Sequence, residues 1–243
     1  MSEQQPYPSV WTRPRRARRE QPSLSREQIV AEALRLLDSE GISALSMRRL
    51  GGQLGSVATA IYWHVANKDE LIELVVDEVF GEIEVPVADD PAGWREAAAT
   101  LARGWRDMIL RHPWTVHVLD EVVSSFHGPN SLRLSDEMLG LFEKAGFDLF
   151  EADRAGKTLI SYVLGIAMSE AAALSRMARD NRSEHEWIKA LWPSADEAAR
   201  DHPRIRALYT AYRDTDPAKN REDSFTYGLD RVLDGIEARL PRS

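Results

Sequence analysis

From Ser25 to Leu240 the apolar residues recur every three or four positions, and no stretch alternates apolar with polar as a half-buried strand does. A chain with that period has to pack helix on helix, so the expected fold class is all-α. Its helices are marked by residues that start and stop them. Ser25 and Gln28 form a capping box ahead of Ile29, Val30, Ala33, Leu34 and Leu37, and Gly41 ends that helix near Glu40. Ser46 caps a short helix to Leu54 that buries Met47, Leu50 and Leu54. Gly55 turns the chain into a second short helix over 57–64. Asn67 and Glu70 form another capping box, for a helix to about Glu84 with Leu71, Ile72, Val75, Val76 and Val79 inward. Asp89, Asp90 and Pro91 start the next, which ends at Arg111. Further helices are expected at about 114–124, 130–145, 149–180, 184–199, 203–213 and 219–240. No segment repeats at a fixed period.

Charge is divided unequally along the chain. Residues 1–68 carry ten Lys and Arg against six Asp and Glu, a balance of +4, while the other 21 basic and 33 acidic residues leave −12, for −8 overall. Five of the ten cations are Arg13, Arg15, Arg16, Arg18 and Arg19, in a Pro-rich stretch that reads as a flexible arm. A basic head on an acidic body suits a protein that offers one end to a polyanion. The absence of cysteine excludes disulfides, thiolate metal sites and a cysteine nucleophile. No run of about 18 apolar residues stands out, so no membrane span is expected. The first twenty residues lack the apolar stretch of a secretory signal, and a cytoplasmic chain is expected.

Two short helices joined at a glycine and braced by a preceding amphipathic helix make a helix-turn-helix. Its second helix must be small enough to enter the DNA major groove, anchored by one face and offering donors from the other. Ile61 and Val65 are the expected anchors, and Thr59, Tyr62, Trp63 and His64 supply hydroxyl, phenol, indole and imidazole groups. Tyr62 and Trp63 also admit a second reading, as core aromatics bracing a three-helix domain.

The segment GISALSMRRLGGQLGSVATAIYWHVANKDEL resembles the DNA-binding domain of the tetracycline-repressor family, most specifically at Tyr62-Trp63-His64-Val65 and Asn67-Lys68. FTYGLDRVLDGIEARL, residues 225–240, looks like the closing dimer helix of its tetracycline-repressor subclass. The resemblance implies an arm at 1–24, a three-helix DNA-binding domain at 25–70 and a larger helical ligand-binding and dimerisation domain at 71–243. It places Arg48 at a base edge, and Thr59, Ala60, Tyr62 and His64 on bases and nearby phosphates. It puts Ser46 and Lys68 on phosphates, each at a helix N-terminus. Two positions depart from the family pattern. Ser56-Val57 reverses the usual order, so that either Ser56 caps early or Val57 sits in a poor cap. Gly51-Gly52 replaces alanines, at about 0.5–1 kcal/mol for each interior glycine.

In the body, Leu159, Val163 and Ile166 of one helix and Phe225, Leu229, Val232, Ile236 and Leu240 of the last are expected at a two-fold dimer interface, as the resemblance implies. Tyr227, Gly228 and Gly235 lie off that stripe, leaving room for a close neighbour. Trp105, Trp114, His117, Phe126, His127, Met138 and Tyr162 are the candidate lining of a pocket for a small apolar or aromatic effector. His112, His117 and His127, with Asp120 and Glu121 between them, match no metal-binding or catalytic spacing, so neither a metal nor another cofactor is expected. No nucleophile elbow, phosphate loop or dinucleotide fingerprint is present, which argues against an enzyme. The expected function is ligand-released repression from a palindromic double-stranded DNA operator. A ligand-independent nucleoid-type protein is the alternative, and a body of about 170 residues is more than that role needs.

Overall fold

Ser25 begins α1 (Arg26–Glu40) as its sequence requires: its hydroxyl accepts from Gln28 N at 3.1 Å, and Gln28 Oε1 accepts from Ser25 N at 2.9 Å. Ser46 Oγ likewise accepts from Arg49 N, at 3.2 Å, at the head of α2 (Met47–Gln53). The computed structural model that shows these bonds describes residues 24–87, 90–119, 128–180 and 182–240. After α3 (Ala58–Ile61), Asn67 Oδ1 accepts from Glu70 N at 2.8 Å and starts α4 (Lys68–Phe80). The Glu70 carboxylate reaches Ala66 N, also at 2.8 Å, one residue before the position a capping box would use. Helix α4 ends at Phe80, short of the expected Glu84, because the chain turns at Gly81.

The body consists of α5 (Trp94–Arg111), α6 (Pro129–Lys144), α7 (Leu149–Arg179), α8 (Glu184–Ala198), α9 (Pro203–Tyr212) and α10 (Pro217–Glu237). Asp90 Oδ1 caps the 3-10 turn Pro91–Gly93 that feeds α5. Another 3-10 turn, Pro113–His117, stands where the expected 114–124 helix begins; residues 120–127 of that expectation lie outside the described ones. No strand occurs among the described residues.

Helix α7 is the central post, with α5, α6 and α10 against it, while α1 lies on α4 and α2 in the head. The head core is Ile29, Ala33, Leu37, Leu50, Ile61, Val65 and Leu71, all buried. Helix α4 joins head to body through the buried Asp77, whose carboxylate accepts from Ser131 N at 3.0 Å and Asn130 N at 3.3 Å, capping α6. Burial raises the Asp77 carboxyl above its ordinary range, against those bonds. Arg133 of α6 donates to Ile83 O at 3.0 Å, beyond the end of α4.

Two sequence expectations change here. Helix α7 is long and apolar enough to cross a membrane by length and mean hydropathy (1.4 over 18 residues), although no unbroken apolar run announces it. Within the chain its Leu159, Val163, Ala167 and Ala171 are buried against neighbouring helices. Five of the eight residues expected between two subunits are instead buried inside one chain. Leu159, Val163, Phe225 and Leu229 are at most 2% exposed and Ile236 is 6% exposed. A side chain already withdrawn from water by its own chain has no apolar surface left for a partner. Ile166, Val232 and Leu240 lie half-buried at the edge of that core. Gly228 is not vacant either: the Tyr162 hydroxyl lies 2.3 Å from where a Cβ would stand, so that space is filled from within.

The two family-atypical glycines differ sharply. A Cβ on Gly51 would lie 3.0 Å from Ala58 N and 3.2 Å from Ser56 O, both backbone atoms, whereas Gly52 faces open space. We expect Gly52→Ala to stabilise the fold by about 0.5–1 kcal/mol and Gly51→Ala to destabilise it. Urea unfolding of the two variants checks both signs.

Candidate nucleic-acid interface and effector region

The turn between α2 and α3 passes through Gly55 at φ +62°, a left-handed conformation that favours glycine. It sets α3 with Ile61 and Val65 fully buried beneath and Tyr62 and Trp63 outward, 48% and 64% exposed. Those two aromatics are therefore surface groups, not braces of the core. Thr59, Ser46 and Arg48 are exposed beside them, and Ala60 and His64 are half-buried. The reversed Ser56-Val57 order resolves to Val57 as the N-cap, with no side-chain bond. Such a cap forgoes about 1 kcal/mol relative to Ser or Asn. Val57 is 69% exposed.

His64 is held in place from α1, where Arg26 donates to its carbonyl at 3.3 Å. Burial first, and then the Arg26 charge, lower the imidazole's pKa against an opposing pull from Glu27. Neutral, the ring offers one donor and one acceptor, as a base edge requires. Lys68 Nζ donates to Ile42 O at 3.2 Å, which ties the start of α4 to the 3-10 turn Ile42–Ala44. Arg13, Arg15, Arg16, Arg18 and Arg19 lie outside the described residues.

The expected effector residues do not form one group. Trp105 is buried with its ring 5.2 Å from Phe80, and Met138 packs into the gap at Gly156. The Tyr162 hydroxyl donates to Phe225 O at 2.7 Å. Trp114 is instead a junction residue, buried with its indole N–H donating to Asp38 of α1 at 2.8 Å. His117 is exposed on its 3-10 turn, which removes it from an interior lining. Phe126 and His127, like Asp120 and Glu121, lie outside the described residues. His112 is buried between Asp38, 2.7 Å from Nδ1, and Glu82, 3.2 Å from Nε2.

Sequence reasoning missed the body's charged centre. Arg106 of α5 donates to both oxygens of Glu170 on α7, at 2.8 and 3.0 Å, and to Glu222 of α10 at 2.5 Å. Its guanidinium lies 4.6 Å from the centroid of the Phe225 ring. Arg221 bonds Glu170 at 2.9 Å and also pairs with Glu184 at the start of α8. Burial opposes the charge on Arg106, but Glu170 and Glu222 outweigh it and raise its pKa further. The available signal was one acid, Glu170, standing alone in the apolar sequence from Leu159 to Leu174.

An exposed reading element on short helices, carried by a larger helical body, defines a helix-turn-helix transcriptional regulator. The chain belongs to the tetracycline-repressor family. Residues 29–75 match the family of bacterial regulatory proteins of the tetR type, and residues 86–240 match the tetracyclin repressor-like C-terminal domain. It is 36% identical over 162 residues to an HTH-type transcriptional regulator of Saccharopolyspora erythraea, covering 67% of each chain. It is 29% identical to the HTH-type transcriptional repressor DrrR1 of Streptomyces coeruleorubidus, covering 94% of this chain and 83% of that one. The crystal structure of ActR from Streptomyces coelicolor in complex with actinorhodin superposes with a TM-score of 0.71 at 28% identity, covering 90% of this chain and 99% of that one.

Removing Arg106 takes from the buried Glu170 its two-bond partner and leaves it, among the described residues, only Arg221. Arg106→Ala should therefore lower stability by about 1.5–3 kcal/mol, while Arg106→Met combined with Glu170→Met should recover most of that loss. Chemical denaturation of the single and double variants measures the difference.

Proposed function

We propose that this protein is a repressor that binds a palindromic DNA operator as a homodimer and is released by a small apolar or aromatic effector. The observation that carries the reading is the exposure of Tyr62 and Trp63 on an element whose Ile61 and Val65 are fully buried. Two large aromatic side chains so exposed on the segment that also exposes Thr59 suit a surface completed by DNA. The proposed division is an arm at 1–24, a DNA-binding head at 25–70, and a body at 71–243 that binds the effector and dimerises. The proposed effector site lies among α5, α6 and α7, which carry Trp105, Met138 and Tyr162 respectively. That ActR has been crystallised in complex with actinorhodin supports a ligand for the body. Effector binding acts by favouring one arrangement of the two heads over the other, which takes differential affinity between them.

Two-fold pairing is supported by surfaces that the chain leaves uncovered. On α7, Ser161, Gly165, Ser169 and Ala172 are exposed along one line, small enough for a second helix to approach closely. Ile166, Val232 and Leu240 border this face as half-buried residues. Helices α8 and α9 bury no residue within the chain, and Leu191, Ile205 and Leu208 are 44–47% exposed. A second copy would cover them and set both heads on one side of the dimer, about 34–36 Å apart, to match one turn of DNA.

Replacing His64 or Tyr62 by Ala should cost about 1–3 kcal/mol of operator affinity with little change in non-specific binding, whereas Lys68→Ala should weaken all sequences alike. Fluorescence anisotropy on DNA selected from a random pool tests this; an unchanged His64 variant refutes the reading surface. The dimer has its own test. A Cβ at position 165 would meet nothing within 4 Å and the position is exposed, so Gly165→Glu should leave folding intact and yield monomers. Sedimentation at micromolar concentration should show a wild-type dimer, and a wild-type monomer there refutes the pairing.

A further inference from the structure

The turn entering α3 carries an apolar side chain where a polar one would serve the fold better. Val57 is the N-cap of α3 and makes no side-chain bond there, although a serine or asparagine in its place would accept from the helix backbone. It is also 69% exposed, more than Tyr62 or Trp63, and so is the most exposed large apolar residue in the described part of the head. Neither capping nor solvation favours valine at this position. The backbone beneath it is held from α2. Ser56 N donates to Gly51 O at 2.8 Å, and Ala60 N donates to Val57 O at 2.9 Å. A Cβ on Gly51 would stand 3.0 Å from Ala58 N and 3.2 Å from both Ser56 O and Val57 C. The missing side chain of Gly51 therefore lets α2 lie against residues 56–58, and Val57 projects from a backbone fixed in advance.

We propose that Val57 is a specificity-determining residue that reads the C5 methyl of one thymine in each operator half-site. The isopropyl group has no donor or acceptor, so it bonds neither a phosphate nor a polar base edge. In the major groove the apolar feature among the base edges is the thymine methyl. Against cytosine or guanine, valine would leave the amino donor or the ring acceptors without a partner. The first residues of a recognition helix are the ones that face base edges, which is where Val57 stands. The proposal rests on the reading of α3 as the helix that enters the groove, and adds an apolar contact to the polar ones expected of Thr59, Tyr62 and His64.

The probe is a duplex selected from a random pool by the full-length wild type. Each thymine of the half-site is replaced in turn, in both half-sites together, by deoxyuridine, which lacks only that methyl. Fluorescence anisotropy should find one position at which the replacement weakens wild-type binding about fourfold for each half-site, the loss expected for one buried methyl. Val57→Ser removes the apolar group and supplies the missing cap. Thermal melting should show that variant at least as stable as wild type, and it should bind the thymine and deoxyuridine duplexes equally. Val57→Ile keeps a branched apolar group and should keep the discrimination. The absence of any methyl-sensitive position overturns the proposal. So does equal methyl sensitivity in wild type and Val57→Ser, because another residue then reads that methyl. His64→Ala on the same duplexes tells the two failures apart: a loss of affinity there without coupling between Val57 and a methyl refutes the role of Val57 alone. A wild type that selects no duplex refutes the helix-turn-helix reading, and this proposal with it.

Discussion

One carboxylate oxygen ties the first helix of the reading head to the body, in addition to the Asp77 contacts of α4. Asp38 Oδ1, on the last turn of α1, accepts from Trp114 Nε1 at 2.8 Å and lies 2.7 Å from His112 Nδ1. Both rings are buried, and the other imidazole nitrogen faces Glu82 just past the end of α4. Arg111 pairs with that same Glu82. The end of α5 is thus bonded to both helices that frame the head, α1 and α4, in a setting where an unmet polar group is expensive. These bonds join the end of α5 to α1 directly. The proposed effector response needs such a connection.

At its other end α5 is committed by charge. Arg106, Glu170, Arg221, Glu222 and Glu184 link α5, α7, α8 and α10 through contacts that leave Arg106 and Glu170 almost without water. An ion pair so placed adds little net stability over apolar residues of like volume, because desolvation cancels much of the attraction. What it does favour is register: α5, α7 and α10 are packed where the Arg106 guanidinium meets Glu170 and Glu222. The same chain of contacts runs from the start of α8 to α5, whose C-cap is His112.

Helix identity was legible in the sequence because its causes are local. A capping serine, a glycine with positive φ and a three-to-four-residue apolar period act within a turn or two of backbone, so Ser25, Ser46, Gly41 and the boundaries of α5, α6 and α7 could be read directly. The reading element was legible for a related reason. Ile61 and Val65 mark its inner face by their spacing, and the polar tips of Thr59, Tyr62 and His64 then lie on the other faces.

Tertiary structure decided what each face meets. A helical period shows that one side of α7 and of α10 is apolar, but burial by the same chain and burial by a second copy ask for identical residues. Only packing showed that Leu159, Val163, Phe225 and Leu229 are buried within one chain, leaving a line of small residues exposed on α7. The polar pairings were equally hidden, because Asp38 and Trp114 are 76 residues apart and Arg106 and Glu170 are 64. Sequence determined the helices, their caps and the reading surface through short-range forces. Which helix sides became core, and where the buried charges found partners, depended on contacts that exist only after the chain has folded back on itself.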